Sequence, residues 1–414
     1  MSKWSGAWAE DVLGIQLATE RGHDARSLVG LAIRRNPRRT QLLVSTVLGK
    51  HVPVRPIDAL AAARELATLV ASHPLYAEVE HGAGETVIVG FAETATALGH
   101  CVADGLAGSF YLHSTRLRPG AWFIEFTEDH SHAPGHFLAI TGGDLFSGAK
   151  TIVLVDDEVS TGRTIVNLIA AMLPYTSCRR FVVGSLVDSR DQRERRLLDA
   201  ELANLGARVV FVALADASVR LPDDLALRSE PYLDREPPRA PPANGRPAAY
   251  FLTVPWPAGL PVSGQSGISA SQRRRYSEAV EEIAALLDSR LCDSDAASVL
   301  VIGTEEFMHL PLSAAAVLAR RGRSAWSSST TRSPVVAIDD AGYAIRSVVS
   351  YSSVLGGPFD RFIYNVAPFA ESPRPAMIVM YGPESAALTD LSGLAERLCP
   401  HAERVLIVRV EVVK

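Results

Sequence analysis

The chain has 414 residues, 47% of them hydrophobic, and a formal net charge of −5. This length exceeds one ordinary hydrophobic core and predicts at least two domains, while the scattered basic residues argue against nucleic acid as a partner. The four cysteines lie far apart, and no apolar run approaches the roughly 20 residues of a membrane span. We therefore expect a soluble cytoplasmic protein with no membrane partner.

Short β-rich runs alternate with helical patterns in residues 1–220, which is typical of an α/β domain with a mostly parallel sheet. In chain order the predictions are a helix near 56–72, strands TVIVGF and TIVLVD, a helix near 164–173, strand FVVGSLV, a helix near 191–205 and strand RVVFVAL. Seven prolines mark residues 221–249 as a linker. Residues 250–414 predict a second α/β domain, with a helix in SQRRRYSEAVEEIAALLDS and strands in SVLVIG, RFIYNV, AMIVMYG and RVLIVRVEV.

The segment TIVLVDDEVSTGRTIVNLI, residues 151–169, joins a buried strand to a helix through the predicted loop DDEVSTGR. Ligands collect at the carboxyl ends of parallel strands, where a helix N-terminus offers backbone N–H groups to an anion. Ser160, Thr161 and Thr164 add hydroxyl donors, and Gly162 lets the backbone approach closely. This half of the loop suits a phosphate monoester.

The other half of the loop carries two adjacent acids, Asp156 and Asp157. Carboxylates repel phosphate, but they accept hydrogen bonds from vicinal hydroxyls and can help hold a divalent cation. The whole loop therefore predicts a ribose 5-phosphate site. The alternative is that Asp157 or Thr161 only caps the helix.

The run VLVDDEVSTGRT resembles the phosphoribosyl pyrophosphate (PRPP) signature of type I phosphoribosyltransferases. The resemblance implies that Asp156 and Asp157 hold the ribose hydroxyls and are the candidate ligands of a Mg²⁺ ion that accompanies the pyrophosphate. The residues implied in binding the 5-phosphate are Ser160, Thr161, Gly162, Arg163 and Thr164.

An upstream segment, TVIVGFAETATALGHCVADGL, occupies the place where such enzymes carry a strand and loop against the pyrophosphate. The small residues Ala92, Thr94 and Ala95 fit that place. Glu93 departs from it, because an acid repels pyrophosphate unless a metal or another cation intervenes. The alternative is a plain strand-to-helix turn capped by Thr94.

The segment HSTRLRPGAWFIEFTEDHSHAPGHFL lies where this family places its mobile catalytic loop. Arg116 and Arg118 are candidates for clamping the departing pyrophosphate. Glu158 and a loop histidine, His132, are candidates for a general base. A metal cluster is the alternative use of His130, His132 and His136 with Glu128 and Asp129.

The N-terminal stretch RRNPRRTQLLVSTVLGKHVPVRP is expected to form the small hood with which type I enzymes choose their base. Its Lys50 and His51 either reach the site or lie on the solvated surface.

The runs VLGKHVPV, EFTEDHSHAPGH, GTEEFMHLP, STTRSP and GYAI resemble bacterial phosphoribosyltransferase-like proteins with a C-terminal TRSP domain, which occur with tellurite-resistance and stress genes. The TRSP domain takes its name from the residues that stand here at 331–334. The match covers nearly the whole chain. It implies this two-part architecture and leaves the acceptor undefined.

The chain also resembles itself, since TVIVGFAETATAL followed by HSTR is echoed by SVLVIGTEEFMHL followed by STTR. The pairs are Gly90 with Gly303, Glu93 with Glu306, and Arg116 with Arg332. The later strand AMIVMYG has no acid pair or phosphate loop after it, which indicates a duplicated fold that lost its PRPP site; chance likeness is the alternative. A second candidate site consists of Glu305, Glu306, Thr331 and Arg332, unless Arg332 only pairs with a glutamate of its own domain.

Together these patterns predict an enzyme that transfers 5-phosphoribose from PRPP to a nitrogenous base or similar small acceptor and releases pyrophosphate. Two alternatives remain open: a regulator that senses PRPP or a nucleotide without catalysis, and an enzyme that runs the reaction in reverse. The sequence leaves the oligomeric state open, a homodimer included.

Overall fold

A computed structural model of the protein describes residues 4–35, 40–120, 122–127, 135–140, 146–233, 249–292, 294, 296–352, 360–366, 374–383 and 391–413. The strands of the first half are β1 (Gln16–Gly22), β2 (Val29–Ile33), β3 (Gln41–Ser45), β4 (Thr86–Gly90), β5 (Phe110–His113), β6 (Phe123–Thr127), β7 (Gly135–Ala139), β8 (Thr151–Val159), β9 (Arg180–Asp188) and β10 (Arg208–Arg220). Its helices are α1 (Ala25–Leu28), α2 (Pro56–Ser72), α3 (Pro74–Ala77), α4 (Ala95–Gly105), α5 (Arg163–Met172), α6 (Gln192–Asn204) and α7 (Leu225–Leu233).

The second half contains strands β11 (Ala249–Trp256), β12 (Val299–Gly303), β13 (Ala325–Ser329), β14 (Val348–Ser352), β15 (Asp360–Tyr364), β16 (Ala376–Tyr381) and β17 (Arg404–Val412). Its helices are α8 (Arg273–Arg290), α9 (His309–Arg320) and α10 (Ser392–Leu398). Among the described residues no helix is both long enough and apolar enough to cross a membrane.

The first sheet has the order β1–β10–β9–β8–β4–β5, in which only β1 is antiparallel to its neighbour. Both faces of its central strands are covered, so β4 and the first five residues of β8 are buried along their whole length. Continuous runs of valine and isoleucine are what such doubly covered parallel strands require. The predicted fold class, a mostly parallel α/β fold followed by a second α/β region, is confirmed.

The second sheet is parallel throughout and repeats the order of the first, because β13–β12–β16–β17–β11 corresponds to β5–β4–β8–β9–β10. Equivalent hydrogen bonds follow β4 and β12: Ser114 N donates to Gly90 O and Thr330 N donates to Gly303 O, both at 2.9 Å. Each half then adds an antiparallel hairpin, β6–β7 or β14–β15. These correspondences support the duplicated fold indicated by the sequence.

The two halves exchange contacts reciprocally across their interface. Val54, just before α2, pairs with Ser327 of β13, and Ile268, shortly before α8, pairs with Tyr111 of β5. Each half therefore adds a bridge to the edge strand of the other. Such self-complementary contacts are the mark of a two-fold interface, here formed within one chain.

The predicted linker, residues 221–249, contains α7, whose Leu225 is buried. Residues 234–248 of this segment lie outside the described part of the chain. Side chains beyond the linker, among them Met308, Val335 and Tyr343, pack in the same hydrophobic cluster as the first half. The halves therefore share a core.

The hydroxyl of Tyr343 connects β2, which directly precedes the hood, to the second half: it accepts from Ile33 N at 2.9 Å and donates to Val336 O at 3.1 Å. Tyr343→Phe leaves a buried backbone N–H unsatisfied, so we expect the free energy of unfolding to fall by about 1–3 kcal/mol in denaturant titrations. Tyr250→Phe, on a half-exposed side chain of β11, is the matched control. Equal stability of both variants would contradict this role for the Tyr343 hydroxyl.

Candidate active site

A cavity of about 240 Å³ opens at the carboxyl ends of β4 and β8. It is lined by the loop after β4, the segment from the end of β8 to the start of α5, side chains of the hood and of the second half, and the side chains of Arg116 and His136. This position, beyond the carboxyl ends of parallel strands, is where α/β sheets bind ligands. All the residues predicted to bind the ribose and its phosphate line this one cavity: Asp156, Asp157, Ser160, Thr161, Gly162, Arg163 and Thr164.

The predicted phosphate loop ends at Gly162, which caps α5 with a left-handed backbone conformation, φ +73°. A Cβ atom at this position would lie 2.5 Å from Leu198 Cδ2. Glycine is therefore required both by the backbone angle and by the packing of α6. α5 therefore begins directly after residues 160–162, and its N-terminus lies at the cavity, where a helix favours an anion.

The acid pair lies on a strand and not in the loop that the sequence predicts. β8 continues to Val159 because Asp156 and Glu158 stay in parallel register with Ser185 and Val187 of β9. Only residues 160–162 form the connection to α5. The correction moves the two carboxylates onto a rigid strand end, which fixes their positions more firmly than a loop does.

Carboxylates crowd together at this strand end. Burial and the charge of Glu158 raise the pKa of Asp157 to about 6, and Asp157 N donates to Asp156 Oδ1 at 2.9 Å. A divalent cation would relieve this repulsion, and carboxylate oxygens are the ligands that Mg²⁺ prefers. The predicted metal ligands, Asp156 and Asp157, therefore suit such an ion in number and chemistry.

The loop predicted to face pyrophosphate is held by a hydrogen bond to the residue that follows β5. Ala92 N donates to Ser114 Oγ at 2.9 Å, and Ser114 Oγ lies 3.3 Å from His136 Nδ1. Ala92, Glu93 and Thr94 line the cavity, whereas Ala95 is buried as the first residue of α4. Residues 92–94 of this loop therefore line the site, and Ala95 packs behind them.

Only part of the predicted catalytic loop can be described. His136 is buried, and it lines the cavity together with Arg116 and Glu158. His132 lies outside the described residues, together with Glu128, Asp129 and His130. Arg118 does not line this cavity; its guanidinium packs over the Phe123 ring at 5.0 Å.

The unexpected acid, Glu93, is surrounded by cations. Lys50 Nζ lies 3.0 Å from its Oε2, Arg332 Nε lies 3.4 Å from its Oε1, and Thr331 Oγ1 donates to Oε2 at 3.1 Å. Burial alone raises the pKa of Glu93, but the charges of Lys50 and Arg332 outweigh it and lower the pKa to about 2. The carboxylate is ionised and neutralised by residues from outside its own loop.

The hood residues Lys50 and His51 reach the cavity and do not lie on the solvated surface, since Lys50 is 1% exposed. Lys50 Nζ also donates to Glu305 O at 2.8 Å and to Thr330 O at 2.9 Å. Burial, followed by the charge of Lys50, lowers the pKa of His51 to about 3. His51 is therefore neutral at physiological pH.

The second candidate site is part of the same interface and not a separate centre. Thr331 and Arg332 line the 240 Å³ cavity, while Glu305 and Glu306 line an adjoining cavity of about 30 Å³. The carboxylate of Glu305 lies between the guanidinium groups of Arg332 and Arg361. Arg332 thus pairs with a glutamate of its own half and also with Glu93 of the other.

A family model described as phosphoribosyl transferase matches residues 28–218, and a model of the TRSP domain that follows such domains matches residues 262–398. The chain is a phosphoribosyltransferase-family protein with a C-terminal TRSP domain. Comparison with curated protein sequences found no match.

Solved structures similar to part of this chain include three adenine phosphoribosyltransferases. The Giardia lamblia protein, solved with 9-deazaadenine, is 17% identical with a TM-score of 0.33, covering 46% of this chain and 95% of that one. The Saccharomyces cerevisiae protein is 12% identical with a TM-score of 0.31, covering 45% of this chain and 94% of that one. The Trypanosoma brucei protein is 18% identical with a TM-score of 0.29, covering 39% of this chain and 65% of that one.

Sequence reasoning about the phosphoribosyltransferase domain missed one residue that lines the cavity and one that supports its wall. Arg34 of the hood contributes to the cavity wall, and Ser114 supports the loop at Ala92. The echo between HSTR and STTR contained the signal for Ser114, because it places a hydroxyl residue next to each threonine and arginine. Arg34 stands in a basic run with no periodic pattern, and only the folded hood brings it to the site.

The raised pKa of Asp157 gives a pH-dependent prediction. The folded protein binds the Asp157 proton more tightly than the unfolded chain, so this group lowers stability as the pH rises from the ordinary value of 3.8 to about 6. Asp157→Asn should therefore melt at a higher temperature than the wild type at pH 7.5. That advantage should disappear near pH 4, where both side chains are neutral. A constant difference across this range in thermal melts would be evidence against a strained carboxylate.

Proposed function

We propose that this chain transfers the 5-phosphoribosyl group of PRPP to a nitrogenous base or similar small acceptor, with release of pyrophosphate. The observation that carries the proposal is that one cavity is lined by the helix-capping phosphate loop, by the acid pair and by the loop after β4. Each wall matches one chemical part of PRPP: the 5-phosphate, the ribose hydroxyls and the pyrophosphate. A phosphate-binding turn alone would explain only the first wall.

Binding follows from the donors and acceptors on these walls. The hydroxyls of Ser160, Thr161 and Thr164 donate to the 5-phosphate, and the N-terminus of α5 adds a favourable dipole. The ribose hydroxyls donate to Asp156 and Asp157. Binding thereby holds the C1 carbon between the acid pair and the loop after β4.

In the reaction, the bond between C1 and the pyrophosphate oxygen breaks and its electron pair leaves with the pyrophosphate. The acceptor nitrogen forms the new bond to C1 through an oxocarbenium-like state, as in glycoside cleavage. Arg116 stabilises the charge that develops on the leaving group. Glu158 is the proposed acceptor of the proton that the incoming nitrogen loses; His132 remains the other predicted base.

Mg²⁺, when bound, would supply further neutralisation of the pyrophosphate charge, and Asp156 and Asp157 would hold it. The same walls serve the reverse reaction, because the two directions share one transition state. A cytoplasmic location is part of the proposal, because PRPP, the substrate of the enzymes that this chain resembles, is found inside cells.

The test is a screen of nitrogenous bases with PRPP and Mg²⁺, in which the release of pyrophosphate is measured. Asp156→Asn combined with Asp157→Asn should weaken PRPP binding by about a hundredfold or more, because two charged acceptors are lost. Asp199→Asn, on the exposed face of α6, is the matched control. Unchanged calorimetric affinity of the double variant would sink the ribose assignment. Tight binding of PRPP without turnover on any base would favour the sensor alternative.

A further inference from the structure

Each half of the chain holds the other half's glutamate by the same pair of residues. Glu93 is held by Thr331 and Arg332, and Glu306 accepts from Arg116 N at 2.8 Å and from the Thr115 side chain. The internal repeat aligns the two glutamates with each other and the two Thr-Arg pairs with each other. The same aligned positions therefore contact a glutamate on both sides of the interface, although Arg332 engages Glu93 with its guanidinium and Arg116 engages Glu306 with its backbone N–H.

The two sides of this interface differ in what they can bind. The cavity of the first half measures about 240 Å³, whereas its counterpart beside Glu306 measures about 30 Å³. The second half also lacks the acid pair and the phosphate loop after AMIVMYG. Arg116 and Arg332 nevertheless both line the larger cavity. One site thus receives the arginines of both halves.

Glu93, Lys50 and Arg332 form a charged cluster at the wall of the larger cavity. Lys50 Nζ lies 3.0 Å from Glu93 Oε2, and Arg332 Nε lies 3.4 Å from Glu93 Oε1. An anion beside the loop after β4 would therefore meet cations and not an uncompensated carboxylate.

Arg332 is the member of the cluster that is best placed to meet such an anion. Glu305 Oε2 accepts from Arg332 Nε at 2.7 Å and also from Nη2, and Glu93 Oε1 lies 3.4 Å from Nε, so the guanidinium is held along its Nε–Nη2 edge. The side chain keeps 19% of its surface exposed and lines the cavity next to Glu93. A guanidinium held on one edge presents its remaining forked donors to phosphate oxygens.

We infer, resting on the proposed function, that Arg332 of the TRSP domain binds the pyrophosphate group of PRPP, so that this domain stands where a partner subunit would stand in a two-fold dimer. Lys50 is a positioning residue: its ammonium neutralises Glu93, which would otherwise repel the same pyrophosphate. The inference explains two features together: the acid at Glu93, where the family pattern does not predict one, and the presence of a second copy of the fold that has no PRPP site. The acid orients an arginine that the other copy supplies.

The test uses the full chain and two ligands, PRPP and ribose 5-phosphate, which differ in the pyrophosphate. Calorimetry with Mg²⁺ should show that Arg332→Gln weakens PRPP about tenfold to a hundredfold, as the loss of a charged hydrogen-bond donor predicts. Affinity for ribose 5-phosphate should not change. Arg332→Lys keeps the charge without the fork and should give a smaller, equally selective loss. Arg323→Gln, which removes an ion pair with Asp288 in the same domain, is the control.

Wild-type affinity of a folded Arg332→Gln variant for PRPP would overturn the inference and leave the proposed function intact. An equal loss for both ligands would also overturn it, because a general disturbance of the cleft has that signature. If Arg332→Gln fails to fold in thermal melts, Arg332→Lys carries the test by the same selectivity. Failure of the wild-type chain to bind either ligand would reject the proposed function together with the inference.

Discussion

One buried ammonium group, that of Lys50, connects the parts of this structure on which the site depends. Its three donors meet three acceptors: the carboxylate of Glu93 and the carbonyl oxygens of Glu305 and Thr330. Removing one member of a buried ion pair leaves an uncompensated charge, which is strongly destabilising. The hood, the loop after β4 and the TRSP domain therefore take up their positions together.

The two copies of the fold differ at the ends of their aligned strands. A two-fold interface would present equivalent loops to equivalent partners, yet only the first copy has an acid pair at the end of its third aligned strand. In the second copy Glu305 engages two arginines, and little cavity remains beside it. The second copy thus contributes side chains to a site that it does not itself possess.

The acid pair illustrates the opposition between stability and function at such a site. Three consecutive carboxylates lie on one strand end, where burial and the charge of Glu158 raise the pKa of Asp157 to about 6. A structural role alone would favour neutral side chains there, because charged groups are poorly solvated when buried. Retention of the charge fits a ligand that brings hydroxyl donors and a cation.

The sequence was sufficient for features that depend on local pattern. The helix at 56–72 and the central strands agree with α2, β4, β8, β9 and β10 to within a few residues, except that β8 and β10 continue farther. The segment 160–164 could be interpreted because its residue types are typical of one ligand chemistry. The internal repeat was visible because both copies keep their order along the chain.

Other features depend on contacts between distant residues, and no local pattern contains them. Lys50 lies 255 and 280 positions from two of its acceptors, so its burial could not be distinguished from solvated surface. β8 continues through the acids because β9 pairs with it, and α7 forms within a proline-rich segment where its apolar face packs on the shared core. In each case tertiary structure decided between local alternatives.

The central claim is that two copies of one fold form a single PRPP site. The number of PRPP molecules bound per chain tests it most directly, and equilibrium dialysis of the full chain with labelled PRPP and Mg²⁺ measures that number. The account predicts one molecule per chain. Two molecules per chain would show that the second copy has kept a site of its own. If no PRPP is bound, the assignment of the cavity to PRPP is contradicted.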